Sequence, residues 1–244
     1  MAHRSPAPPM PSLMQSPPSP SSQRLALFDL DNTLLTGDSE VLWGEFLVAR
    51  GLADPGFAER NAEMDRHYHA GLATPADFCA FFAATLAGRT PAEWQPLREA
   101  FMREVVRPRL PAAAMALVRQ YRTRGDLLVL TSATSRFLCE CTAAELGFEH
   151  LIATELALDA DGRFTGATTG TLNMREGKIA RLAAWLSARG LAADASLATA
   201  SFHSDSINDL PLLLAVGLPV VVDPDARLER EALARGWPVL RLPR

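Results

Sequence analysis

Apolar residues in this chain fall into two spacings that alternate along the sequence. Leu25-Ala26-Leu27-Phe28 is an unbroken apolar run ending in Asp29-Leu30-Asp31-Asn32-Thr33, and short apolar runs bounded by turn formers read as buried strands. Leu127-Leu128-Val129-Leu130 repeats the pattern and ends in Thr131-Ser132-Ala133-Thr134-Ser135, while a third strand is predicted over 197–203, ending in Ser204-Asp205-Ser206. Leu151-Ile152-Ala153, Val220-Val221-Val222 and Val239-Leu240 supply shorter strands, and Asp161-Gly162 marks a hairpin running to Gly170. Between these runs the spacing changes to three and four. It predicts helices from Pro111 through Arg122, from Arg136 to Leu146 with a stop at Gly147, and from Arg175 through Leu186. Strands alternating with helices place the chain in the α/β class, as a doubly wound, mainly parallel sheet with a Rossmann-like core.

Residues 39–109 interrupt that alternation. Leu42/Phe46, Trp43/Leu47 and Phe78/Phe82/Leu86 keep helical spacing, with breaks at Gly51, Pro55, Pro75, Gly88 and Pro91. A segment this long is not a simple loop, and insertions beside a strand end commonly serve as lids. The expected organisation is a catalytic core from 24–38 and 110–244, a helical cap over 39–109, and a Pro/Ser-rich disordered tail over 1–23. A purely structural helical subdomain is the alternative for the insertion.

Composition narrows the function classes. With 48% hydrophobic and 21% charged residues the chain is globular, and a net charge of -4 gives no basic footprint for nucleic acid or a membrane surface. No apolar run approaches the roughly 18 residues that span a bilayer. Three cysteines, Cys79, Cys139 and Cys141, form neither a secreted disulfide framework nor a zinc pattern, which predicts a reducing, cytoplasmic setting.

The strand ends carry the candidate chemistry. In open α/β sheets ligands bind outside the carboxyl ends of the strands, where Asp29 and Asp31 stand two residues apart. Two acids aimed into one crevice repel, so one stays ionised as a nucleophile while the other holds a proton, and a divalent cation relieves the rest. A strand entering an Asx-rich turn uses the same residues. Ser132 brings a hydroxyl to the second strand end, and Asp205, Asn208 and Asp209 follow the third. Lys178 is the only lysine among 24 basic residues. A compact ammonium contacts phosphate and carboxylate together, where a guanidinium fork fits differently; chance survival of one lysine is the plain alternative.

In order, Asp29-x-Asp31-x-Thr33, Ser132, Lys178 and Asp205-x-x-Asn208-Asp209 resemble the four motifs of the haloacid dehalogenase superfamily over residues 25 to about 224. The insertion directly after the first motif resembles the branch that contains phosphoserine phosphatases. The resemblance implies a magnesium-dependent phosphatase acting on a small-molecule phosphomonoester. Asp29 would be the nucleophile, Asp31 the acid and base, and Thr33, Ser132 and Lys178 phosphate-binding groups. Asp29, Asp31 through its backbone, Asp205, Asn208 and Asp209 would hold Mg2+. Ser132-Ala133-Thr134 stands where that branch has Ser-Gly-Gly, and Ser204-Asp205-Ser206 where it has Gly-Asp-Gly. Asp38 occupies the ungapped position of the branch's acidic substrate-binding residue and is expected to pair with a substrate ammonium, a group shared by phosphoserine and histidinol phosphate, the two substrates that the resemblance implies. His67, Tyr68 and His69 are expected as exposed residues of the insertion, with a placement facing the pocket as the alternative, and His203 as a structural strand residue. A phosphotransferase using the same intermediate, or a silent binding module on this fold, are the competing functions. The oligomeric state stays open.

Overall fold

The computed structural model describes residues 23–70 and 72–244, with the His69 side chain left aside; all but Gln23 of the expected tail lies outside the described residues. Its centre is β1 (Leu25–Phe28), every residue of which is buried. Alternation along the strand sends Ala26 and Phe28 into one core and Leu25 and Leu27 into a second on the other face. The sheet adds β2 (Leu127–Ser135), β3 (His150–Leu158), β4 (Phe164–Thr169), β5 (Ser201–Ser204), β6 (Leu218–Val222) and β7 (Val239–Leu240). Their spatial order is β4-β3-β2-β1-β5-β6-β7, parallel throughout except for the β3/β4 hairpin.

The chain steps outward from β1 through β2 and β3, then returns to the other side of β1 for β5, β6 and β7. That reversal opens a crevice beyond the ends of β1 and β5, the place where doubly wound sheets bind ligands. Helices α5 (Ala112–Thr123) and α6 (Arg136–Leu146) bury Ala114, Val118, Phe137 and Leu138 against one face. The other face is covered by α7 (Glu176–Ser187), α8 (Ala193–Leu197), α9 (Leu210–Ala215) and α10 (Ala226–Arg235), through Leu182, Leu186, Leu212, Leu213 and Leu228.

Two strand boundaries differ from expectation. The third predicted strand starts at Ser201, because Leu197 closes α8 and gives its carbonyl to Gly217 N–H at 2.9 Å. β2 runs on through the hydroxyl-rich residues to Ser135, with an irregularity in its pairing to β3 between Ser132 and Ser135.

Residues 39–109 form α1 (Ser39–Ala49), α2 (Phe57–His69), α3 (Pro75–Ala83) and α4 (Pro91–Phe101), then a π turn and a 3-10 turn to Arg109. Thr74-Pro75 and Thr90-Pro91 open α3 and α4 with capping boxes to Asp77 and Glu93, proline taking the first turn where its missing N–H costs nothing. Trp43 anchors the segment, its ring meeting Trp94, Phe101 and Phe137 of α6 edge-on at centroid distances of 5.6, 5.2 and 6.2 Å. The insertion thus shares an apolar core with the sheet.

His203 lies beneath the crevice, fully buried and stacked on Phe28 at 4.3 Å. Its Nδ1 donates to the Leu27 carbonyl at 3.0 Å, which leaves Nε2 to accept from the Tyr121 hydroxyl at 2.9 Å. Burial lowers its pKa from 6.5 to about 4, so between those values the unfolded chain takes up a proton that the folded chain refuses. Stability from this group is therefore complete above pH 6.5 and is lost as pH falls toward 4. Relative to His203→Gln, the wild type should lose about 3 kcal/mol of unfolding free energy between pH 7 and 4. Denaturant titrations at both pH values check this, and a pH-independent difference would refute it.

Candidate active site

Asp29 leaves β1 with its N–H on the His203 carbonyl at 2.9 Å, so the strand pairing fixes where its carboxylate begins. Beyond it Asn32 adopts a left-handed backbone (φ 56°), and the N–H groups of Leu34 and Leu35 both return to the Leu30 carbonyl at 2.8 and 2.9 Å. The tight turn sinks Leu30, Leu34 and Leu35 into the core and leaves Asp31 facing the crevice. Asp38 then caps α1, its Oδ1 accepting from Glu40 N–H and Val41 N–H at 2.9 and 3.0 Å.

The turn after β5 comes up alongside. Thr33 joins the two turns: its hydroxyl donates to Asp205 Oδ1 at 3.0 Å and accepts from Asp205 N–H at 3.0 Å, with Asp29 Oδ2 at 3.4 Å. Lys178 arrives from α7, whose first turn passes so close to the Leu172 carbonyl that a Cβ on Gly177 would lie 2.0 Å from that oxygen. With glycine there, Lys178 Nζ donates to Asp29 Oδ1 at 2.8 Å and Asp209 Oδ2 at 2.7 Å, and Ser204 Oγ donates to the same Asp209 oxygen at 2.7 Å.

Asp31 is aimed from both sides: Ser39 N–H donates to its Oδ1 at 2.8 Å and the Thr134 hydroxyl to its Oδ2 at 2.6 Å. Ser132 lies at the same strand end, where its Oγ accepts from Thr134 N–H at 3.2 Å. Asn173 braces that strand end, its amide donating to Thr131 Oγ1, Ser132 O and Ile152 O at 3.0, 2.9 and 2.9 Å.

The electrostatics follow from withdrawing many acids from water. Burial raises Asp29 to about 7 despite the opposing ammonium of Lys178. Burial and then the charge of Asp38 raise Asp31 to about 7, against the hydrogen bonds from Thr134 and Ser39. Burial and then Asp29 hold Asp205 well above the usual carboxylate range. Burial also works against the Lys178 ammonium, but Asp209 and Asp29 outweigh it and raise its pKa. Asp31 is thus suited to carry a proton near neutral pH while Lys178 stays charged.

One cavity of about 290 Å³ gathers Asp29, Asp31, Asp38, Ser132, Lys178, Asp205, Asn208 and Asp209. Thr33 is fully buried behind these residues and does not line the cavity. A larger cavity, about 470 Å³, opens at the other end of the sheet by Arg24, Tyr121 and Trp237, away from the carboxylate cluster. The insertion forms the far wall of the carboxylate-lined cavity with Glu40, Asp65, Tyr68, Phe78 and Cys79. Tyr68 corrects the sequence expectation: it is 5% exposed, because α2 and α3 pack its ring against Phe78 at 4.9 Å and its hydroxyl reaches Met174 Sδ at 3.5 Å. His67 is exposed as expected. Sequence reasoning also passed over Glu40, whose Oε1 accepts from Ser135 N–H at 3.2 Å. The only hint of it was an acid two residues beyond Asp38.

Eight carboxyl side chains and one ammonium line this cavity among the described residues. A donor set of oxygen atoms with that charge imbalance fits a hard divalent cation. Among the described residues no three Asp, Glu, His or Cys side chains converge as a ready ligand set. Asp29 and Asp205 would therefore need backbone or water oxygens to complete a shell, which suits Mg2+ and its tendency to keep water. Asp209, with one oxygen committed to Lys178 and Ser204, orients the lysine.

The family model for haloacid dehalogenase-like hydrolases matches residues 26–214. The chain belongs to that family. This hydrolase is 39% identical over 219 residues to a histidinol-phosphatase of Neisseria meningitidis, covering 89% of this chain and 98% of that protein. It is 32% identical to a phosphoserine phosphatase of Mycobacterium tuberculosis, covering 88% of this chain and 69% of that one. Among solved structures, a Bordetella pertussis protein of unknown function superposes with TM-score 0.84 at 43% identity, over 89% of this chain and 98% of that one. A substrate-bound phosphoserine phosphatase shares the fold, with TM-score 0.63 at 16% identity over 88% and 98% of the two chains. The enzyme is accordingly a phosphoric monoester hydrolase. Among the described residues no helix is long and apolar enough to cross a membrane.

The short Thr134–Asp31 bond generates a direct test. Thr134→Val keeps the shape but removes a charge-assisted hydrogen bond, and should lower kcat/KM by about tenfold to a hundredfold, with Thr134→Ser keeping most of the activity. Steady-state rates on an aryl phosphate measure this, and an unimpaired valine variant would show that Thr134 does not aim Asp31.

Proposed function

We propose that this enzyme hydrolyses the phosphomonoester of a small amino alcohol through an aspartyl phosphate on Asp29, with histidinol phosphate favoured over phosphoserine. The observation that carries this reading is the layout of charge in the cavity. Lys178 is its one basic lining group among the described residues and is held at the floor by Asp29 and Asp209. Asp38, Glu40 and Asp65, with the rings of Tyr68 and Phe78, line the insertion side. Arg175 stands near that side, but its guanidinium lies over the Tyr68 ring at 5.0 Å. A leaving group with an ammonium and an aromatic ring complements such a wall, whereas the carboxylate of phosphoserine would face acids.

The chemistry then runs through the chain's own residues. Lys178 occupies Asp29 Oδ1, leaving Oδ2 to attack phosphorus as the bond to the leaving oxygen breaks. Asp31, raised to about 7, gives its proton to the departing alkoxide. The same carboxylate next takes a proton from water as that water attacks the aspartyl phosphate, releasing phosphate and restoring Asp29. Ser132 and Lys178 steady the phosphate oxygens, and Thr33 keeps the Asp29 and Asp205 turns in register. Asp29, Asp205 and the Asp31 carbonyl would hold Mg2+, beside Asn208 and Asp209, and the ion would offset the negative charge that otherwise repels a phosphate dianion. The helices over 39–109 serve as the cap that reads the leaving group.

Phosphate release from histidinol phosphate, phosphoserine and an aryl phosphate tests the reading. kcat/KM should favour histidinol phosphate over phosphoserine by about a hundredfold or more, and Glu40→Gln should weaken only the amine-bearing substrate, by about tenfold to a hundredfold. Equal or better turnover of phosphoserine would overturn the substrate assignment. Phosphate passed to an added alcohol in preference to water would identify a phosphotransferase.

A further inference from the structure

The turn that carries Asp31 is held from outside by a residue with no place in the motifs. Arg244 lays its guanidinium across the outer side of that turn: Nη2 donates to the Asn32 carbonyl and, at 3.3 Å, to the Thr33 carbonyl, and Nη1 lies 3.4 Å from Thr36 Oγ1. The same guanidinium is gripped by Asp223, whose Oδ2 accepts from Nη2 at 2.7 Å and Nε at 3.0 Å. Asp223 is itself fixed. It follows β6 with a left-handed backbone (φ 43°), its N–H donates to the Leu240 carbonyl at 2.9 Å, and its carboxylate accepts from Leu242 N–H at 3.3 Å.

Two residues farther on, Asp225 holds the opposite turn. Its N–H donates to the Asp205 carbonyl at 2.8 Å and its Oδ2 accepts from Ile207 N–H at 2.7 Å, while its Oδ1 caps α10. The segment 223–225 therefore reaches one carboxylate turn directly, through Asp225, and the other through the Asp223–Arg244 pair. The side chains of Arg244 and Asp223 are 25% and 22% exposed.

We propose that Arg244 is a positioning residue for phosphoryl transfer, a guanidinium strut that sets the spacing between the Asp29–Asp31 turn and the Asp205 turn. The choice of arginine follows from geometry. One planar fork meets two backbone carbonyls, a hydroxyl and a carboxylate at once, where an ammonium on a flexible stem meets fewer. The carbonyls of Asn32 and Thr33 follow Asp31 by one and two residues, so slack in this strut moves the acid and the nucleophile relative to each other without touching the wall that reads the leaving group.

The test uses the full chain with an aryl phosphate as probe, comparing Arg244→Ala, Arg244→Lys, Asp223→Asn and the Arg244→Ala/Asp223→Asn double variant. Misalignment of reacting groups by a distant change costs up to about a hundredfold, so kcat of Arg244→Ala should fall by about tenfold to a hundredfold while KM changes little. Lysine should not restore the rate. Guanidinium ion at sub-denaturing concentration should restore part of it, and ammonium at matched ionic strength should not. Asp223→Asn should show the same kcat defect, and the double variant should be no worse than either single one, since both break one strut. Unchanged kcat in Arg244→Ala, additive losses in the double variant, or a loss that guanidinium leaves untouched while thermal stability drops with it, would each overturn the proposal.

Discussion

A single ammonium withdrawn from water sets the terms for the rest of the site. Lys178 is 2% exposed, and a buried charge is tolerable only when it is paired and hydrogen-bonded. Its two partners come from different parts of the chain, Asp29 from the end of β1 and Asp209 from beyond β5. One contact thereby ties α7 to both strands that flank the topological switch. Gly177 gives the first turn of α7 room against the Leu172 carbonyl, and Ser204 completes Asp209. Of the other carboxylates, Asp31 and Asp205 have no lysine of their own, and their pKa values rise with burial. The site is thus poised with one fixed positive charge, one acid suited to carrying a proton, and a surplus of oxygen ligands.

What could be read from the sequence followed from local physics. Leu25–Phe28 announces a buried strand through its apolar run, and the acids that follow it stand at a strand end whichever fold contains it. The solitary Lys178 stood out against a background of arginine, and the insertion over 39–109 was legible from helical spacing and its proline breaks. The partners of these residues are another matter. Thr134 is 103 residues from Asp31, and Arg244 is more than 200 from Asn32. Nothing in the immediate sequence around either marks the pairing. Leu197 misled because an apolar residue closing a short helix looks like the start of the strand that follows. Tyr68 misled for a related reason: α2 is mostly polar, and only its packing on Phe78 reveals which side faces the cavity.

The fold also separates two tasks that one cavity must perform. In the proposed mechanism the strand ends and their turns supply groups for the phosphate, held by backbone pairing, by Thr33 and by the segment 223–225. The insertion supplies Glu40, Asp65, Tyr68 and Phe78 and is joined to the core by the Trp43 cluster, so its wall is mechanically continuous with the sheet. Changes in recognition can then accumulate on the insertion side while the strand-end geometry stays constant.

In the proposed mechanism Asp29 becomes phosphorylated during turnover. Rapid acid quench of the enzyme with labelled substrate, followed by borohydride reduction and peptide mass spectrometry, reads this directly, because reduction of an acyl phosphate converts that aspartate to homoserine. The account predicts protein-bound phosphate on the millisecond timescale and homoserine at position 29 alone. Label on a serine or histidine, or product formation with no protein-bound phosphate at any time point, would contradict it.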